Sequence, residues 1–127
     1  MVNNNQKNVL GNPLKKCSVD PLTGFMRDGC CSVSERDKGN HIVCAEVNSK
    51  FLNFSYSKGN DLITPRMEFS FPGLIEGDRW CLCLDRWLEA LKNDCAPKII
   101  LESTNSRALE KVDIEILKRF ALDLNWI

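Results

Sequence analysis

Two cysteines stand side by side in "RDGCCSV", residues 27–33, directly after an Asp-Gly turn signal. A cysteine becomes a nucleophile when a base, a cation or converging backbone N–H groups lower its pKa. Gly29 can adopt positive φ and turn successive amides toward one point. Arg27 is a cation close by, and His41 is the only imidazole in the chain. Cys30 and Cys31 are therefore the candidate reactive sulfurs, with Arg27 or His41 as the group that would lower a thiol pKa. Asp28 works against this, since its charge repels a thiolate. Packing is the plain alternative, because free cysteine behaves as a small hydrophobe and is among the most buried residue types.

Five further cysteines lie at positions 17, 44, 81, 83 and 95. Seven is an odd number, and the start "MVNNNQK" is polar with no apolar signal region. A cytoplasmic location with reduced thiols is the expectation. With His41 the sulfurs are an ample inventory for zinc, but their spacing is poor. A tetrahedral site with Zn–S near ~2.3 Å needs sulfurs roughly 3.8 Å apart, by geometry on that bond length. Cys81 and Cys83 on a regular strand have Cα atoms ~6.5 Å apart, and no C-x2-C knuckle exists. No metal ligand is assigned and no cofactor is expected. A Cys30–Cys31 bridge would be strained, because adjacent Cα atoms are only ~3.8 Å apart. Cys17 with Cys30 or Cys31 stays open. Cys44, inside an apolar run, and Cys95, at a helix end, read as packing.

These residues must be positioned by a globular fold. Hydrophobic residues make up 43% of the 127-residue chain and charged residues 27%, too apolar for disorder. Charge balances at 17 basic and 17 acidic residues, with no basic stripe, so no nucleic-acid partner is expected. No apolar run approaches the ~20 residues of a membrane helix, so no membrane partner is expected either.

Residues 1–8 read as a flexible terminus and 9–127 as one α+β domain. The N-terminal third is dense in turn signals, among them "VDPLTG", a type I turn candidate. "HIVCAEV" reads as a strand buried on both faces. "NSKFLNFSYSKGN" reads as a short helix capped at Asn48 or Ser49 and stopped by Gly59. "MEFSF" alternates and suggests a strand, as does "DRWCLCL". Leu84, Trp87, Leu88 and Leu91 then fall at helical spacing, ending near Cys95 ahead of Pro97. "KIILES" reads as another strand, and Asp113 as the N-cap of a last helix through Leu117 and Phe120. The architecture expected is two layers, a small mixed sheet with about three helices packed on it; a parallel α/β sheet is the rival.

The stretches "CSVDPLTGFMRDGCC", "HIVCAEV", "SKGNDLITPRMEFSFPGLIEGDRWCLC" and "RWLEALKND" resemble a family of mainly bacterial proteins catalogued as domain of unknown function 2237. The resemblance covers Asn8 to about Asp123. It implies a small single-domain α+β protein and carries no assigned reaction, so it transfers no catalytic role. Members often carry a histidine where this chain has Asn105, so no general base is implied there. The shared motifs fall in turns: Asp20 to Gly24, Asp28 to Cys31, and Gly59 to Arg66.

Together these residues point to a cleft between the "RDGCC" and "GNDLITPR" loops, floored by the "WCLC" strand. In one reading it belongs to a thiol-dependent enzyme or redox protein using Cys30 or Cys31. In a second it is a binding module, holding a small polar ligand or a protein partner through the 59–73 loop. Its candidate residues are Asp28, Asn60, Asp61, Thr64, Arg66, Cys81 and Cys83. In a third the chain is a structural protein with buried, reduced cysteines.

Overall fold

A computed structural model describes residues 5–124. β1 (His41–Glu46) is the centre of a three-stranded sheet, flanked by β2 (Arg79–Cys83) and β3 (Lys98–Ile99). Both pairings are antiparallel, so the α+β architecture holds and the parallel α/β rival does not. The reason lies in the connection. After β1 and α1 (Ser49–Ser57) the chain returns through a long loop and enters β2 from the opposite end. α2 (Leu84–Lys92) starts at the residue after β2, and α3 (Ile114–Arg119) closes the domain.

Local chemistry explains each helix. The Asn48 side chain accepts the Phe51 N–H at 2.7 Å, and the Asp113 carboxylate accepts the Glu115 N–H at 2.8 Å. α2 turns the stripe read from sequence inward. Trp87 is fully buried, its indole N–H donates to the Pro97 carbonyl at 3.2 Å, and its ring meets Phe120 edge-on. No helix among the described residues is long and apolar enough to cross a membrane.

Three elements depart from the sequence reading. "MEFSF" is no strand: Met67–Phe69 is a single 3-10 turn, Ser70 takes φ +52°, and Arg66 pairs with Phe71 across it. Alternation over five residues could not distinguish a strand from a tight loop that leaves Met67 and Phe69 in solvent. "KIILES" contributes only Lys98–Ile99 to the sheet, because Leu101–Ser103 coils into a 3-10 turn whose first two N–H groups donate to the Asp123 carboxylate. At "VDPLTG" the Asp20–Pro21 peptide is cis and Val19 bridges Leu22, so the turn is not type I.

β1 is buried on both faces, as its apolar run requires. Val43 and Ala45 belong to the main core beneath the helices, whereas Cys44 belongs to a second cluster with Cys17, Cys31, Cys81 and Ile100. That second cluster is the seam between the sheet and the loop-rich N-terminal third. Buried side-chain amides hold the same seam. Asn8 accepts from the N–H groups of Leu10 and Asn12 and donates to the Glu102 carbonyl. Asn105 donates to Gln6 Oε1 and to the carbonyl of Cys31. Asn105 thus anchors the cysteine loop to the N-terminal segment.

Candidate functional site

Strand register brings the sulfurs together. Cys44 on β1 and Cys81 on β2 are direct cross-strand partners, so both side chains leave the same face of the sheet side by side. Two buried threonine hydroxyls fix that pair of backbones: Thr104 Oγ1 accepts the Cys44 N–H at 3.1 Å and Thr23 Oγ1 accepts the Cys81 N–H at 2.9 Å. The N-terminal third then crosses this face and supplies a partner to each. Cys17 is disulfide-bonded to Cys44 and Cys31 to Cys81, with Cα separations of 5.6 and 5.3 Å. The expectation of reduced, unpaired cysteines is overturned at these four positions. Cys30, Cys83 and Cys95 remain free.

The expectation of no cofactor is corrected as well. The Sγ atoms of Cys17, Cys31 and Cys81 all lie within 4.8 Å of one another, and all three residues are buried. With the bonds open, these are three thiolates able to coordinate a metal ion, and Cys44 is a fourth sulfur bonded to Cys17. Metal and disulfide exclude each other, since the ligand must be a free thiolate. Ligand spacing along the chain concealed the cluster, because its members come from two loop positions and two strands. The domain therefore carries a buried cysteine cluster capable of metal or redox chemistry.

Cys30 does not have the electrostatics of a nucleophile. It is buried, and its thiol is pushed up from the usual range, first by that burial and then by the charge of Asp28, with Lys16 opposing. Its N–H donates to Asp28 Oδ1 at 3.0 Å, so the carboxylate is also its turn anchor. A raised thiol pKa favours the neutral form in the fold. The stability it contributes is present below the ordinary thiol pKa and is lost as pH rises through the raised one. Native alkylation followed by peptide mapping is expected to label the half-buried Cys83 and Cys95 while Cys30 stays unlabelled until alkaline pH or unfolding. Rapid labelling of Cys30 at neutral pH would contradict this assignment.

Beside the disulfide pair lies a cleft of about 580 Å³. Cys81 and Cys83 are part of its wall, and Cys31 lies behind the wall, bonded to Cys81. Of the sequence candidates, Arg27, His41, Asn60, Asp61, Arg66, Cys81 and Cys83 line this space. Asp28, Cys30, Cys31 and Thr64 do not. Trp80, Phe69, Phe71 and Arg86 also line it and were not among the site candidates; Arg86 stands on the polar side of the α2 stripe, where a charge carries no signal.

His41, Asp61 and Arg27 in the cleft each have a local partner. His41 Nδ1 is 2.7 Å from Asp37 Oδ1, and the His41 N–H donates to the other oxygen of that buried carboxylate. Asp61 accepts the N–H groups of Ile63 and Thr64. Those bonds, foremost one from the Thr64 side chain, hold its carboxyl below the usual range, and Arg66 adds to the effect. Asp61 is thus the cap of the loop that carries Arg66. Arg27 has φ +55°, donates from its guanidinium to the Gly24 carbonyl, and lies 5.2 Å from the Trp80 ring centroid. Non-glycine residues rarely adopt that backbone, and such conformations persist where the surroundings demand them.

No curated protein matches the chain. A family model described as "Uncharacterized protein conserved in bacteria" matches residues 7–121, the span that contains the sheet, all seven cysteines and the whole cleft lining. The chain therefore belongs to the family of domain of unknown function 2237.

Proposed function

We propose that this domain performs thiol–disulfide exchange, with Cys31–Cys81 as its working bond and Cys17–Cys44 as a second bond behind it. One observation carries the reading: sulfurs from two different disulfides, Cys17 on one side and Cys31 and Cys81 on the other, lie within 4.8 Å, and Cys81 borders the cleft.

The substrate is a thiol donor that enters the cleft. Its thiolate attacks Cys81 Sγ, the bond to Cys31 breaks, and Cys31 leaves as a thiolate. A second donor thiol then attacks the mixed disulfide, leaving an oxidised donor and a reduced Cys31/Cys81 pair, two electrons transferred in all. While open, the Cys31 thiolate faces Cys17. Attack there forms Cys17–Cys31, expels the Cys44 thiolate and moves the oxidised bond within the cluster without net electron transfer. Until that shift Cys17–Cys44 tethers the N-terminal third to the sheet; after it the bond lies within that third, and Cys44 and Cys81 are both released.

A Cys81→Ser variant tests the exchange. It leaves Cys31 without its partner but beside the Cys17–Cys44 bond. Equilibrated in a thiol–disulfide buffer and mapped by mass spectrometry, it is expected to show a Cys17–Cys31 bond with Cys44 free in part of the population. A map with only Cys17–Cys44 and a free Cys31 would sink the relay.

The three-sulfur cluster favours a second reading, in which the reduced form holds a soft divalent ion such as zinc through Cys17, Cys31 and Cys81, with Cys44 completing a tetrahedron. Cobalt added to reduced protein would then give tetrahedral d–d and sulfur charge-transfer bands, abolished on oxidation.

A further inference from the structure

We infer that the cleft selects a small thiol or disulfide that carries an anionic group: a carboxylate, sulfonate or phosphate. This rests on the redox reading above and names the class of its substrate.

Charge is the first argument. The chain is neutral, yet three guanidinium groups, Arg27, Arg66 and Arg86, share one cavity of about 580 Å³ with a single carboxylate, Asp61. That carboxylate is committed to backbone N–H groups of its own loop. Arg86 is satisfied by the Lys58 carbonyl and by Glu89. Arg27 and Arg66 make no ion pair among the described residues, a state they share with nine other cations, and their convergence on one cavity is what sets them apart. Two guanidinium groups with no ion-pair partner, converging on one concavity, form an anion receptor, and a low-dielectric wall concentrates their field.

Preorganisation is the second. Arg27 is held by its backbone conformation, by the Gly24 carbonyl and by the face of Trp80. The loop bearing Arg66 is closed by Asp61 at one end and by the Arg66–Phe71 pairing at the other. The Arg27 cation and the backbone that carries Arg66 are therefore set before a ligand arrives, which lowers the ordering cost of binding. The third argument is proximity and size. Cys81 belongs to the same wall and is buried, so an anion anchored at the arginines brings its sulfur beside the residue that carries the reacting bond, which opens to it when that wall loosens. The volume is in the range of small-molecule sites.

The chemical step is unchanged: the anionic thiolate forms a mixed disulfide with Cys81, Cys31 leaves as a thiolate, and solvent supplies its proton. The arginines bind and orient; they take no part in bond making. They are positioning residues.

The test compares two thiols of like size, 2-mercaptoethanesulfonate and neutral 2-mercaptoethanol, on the oxidised, folded protein. Trapped mixed disulfides are mapped to Cys81, and each rate is divided by that thiol's rate on a small uncharged disulfide. The sulfonate is expected to open Cys31–Cys81 at least ~10-fold faster on this scale, as electrostatic steering of an anion into a positively charged cleft allows. That ratio should fall toward one in Arg66→Gln and in Arg27→Gln. It should also fall in ~1 M salt, where the screening length shrinks to about 3 Å. A Lys118→Gln control, on α3 and outside the cleft, keeps the ratio. Equal normalised rates for the two thiols would overturn the anion selectivity and leave the exchange reaction standing. Failure of both thiols to open the bond in folded protein would overturn the exchange reading and this inference with it.

Discussion

Reduction of the two disulfides should lower the unfolding temperature by roughly 20 °C, on the size scaling for domains of this length. The bonds close loops with sequence separations of 27 and 50 residues. Loop-closure entropy over such lengths gives about 3.5 and 4 kcal/mol, of the same order as the whole stability of a small domain. The structural location strengthens the expectation. The N-terminal third has no helix or sheet strand of its own among the described residues, and the two bonds fasten it to β1 and β2. Thermal melts followed by circular dichroism, with and without reductant, measure the effect. The Cys31→Ala/Cys81→Ala and Cys17→Ala/Cys44→Ala pairs separate the two contributions. A melt insensitive to reductant but lowered by a chelator would replace the disulfides with the metal form of the cluster. A melt insensitive to both would show that the four sulfurs contribute only packing.

Gly24→Ala is expected to cost about 3 kcal/mol, the sum of a forbidden backbone conformation and an overpacked contact. Gly24 has φ +95°, and a Cβ there would drive into the backbone carbonyl of Cys30 and approach Asp28 Oδ1 at 3.2 Å. Neither neighbour can retreat. Cys30 adjoins Cys31, which is covalently fixed to β2, and Asp28 anchors the Cys30 N–H. Thr23, whose hydroxyl clamps Cys81, is the preceding residue. The same substitution therefore loosens the surroundings of the Cys31–Cys81 bond, which should open faster to thiols. Gly59→Ala is the comparison: its φ is +87° but nothing lies within 4 Å, so only the backbone cost of about 1 kcal/mol applies. Urea unfolding of both variants gives the difference directly. Equal losses would mean the loop around Cys30 is free to move, contrary to the close approach.

The proposed exchange at Cys31–Cys81 is compatible with the stability of the fold as long as Cys17–Cys44 stays closed. With one bond open, Cys17–Cys44 still joins the N-terminal segment to the central strand. The shift to Cys17–Cys31 gives up that tether and leaves the segment held by packing and by the Asn8 and Asn105 hydrogen bonds.

Much of the scaffold follows from local sequence. Asn48 and Asp113 cap helices because a side-chain oxygen beside free N–H groups is a local matter. The Leu84–Trp87–Leu91 stripe and the apolar run at 42–45 declare burial by period and composition. The loops that line the cleft were legible for the same reason: glycines, Pro21 and Pro65, and Asp61 with its capping role are turn chemistry, and turns meet at the ends of elements. Short elements escaped. Five alternating residues at "MEFSF" carry too little periodic information to outweigh the tight Arg66–Phe71 closure. The sulfurs escaped completely. Cys44 and Cys81 meet only because β1 and β2 pair in one register, and Cys17 and Cys31 reach them only because an irregular segment crosses that face. Sequence by itself determined which residues turn, cap and bury. Which sulfur faces which, and hence the chemistry available beside the arginine-lined cleft, depended on long-range strand register and chain crossing, which no local pattern encodes.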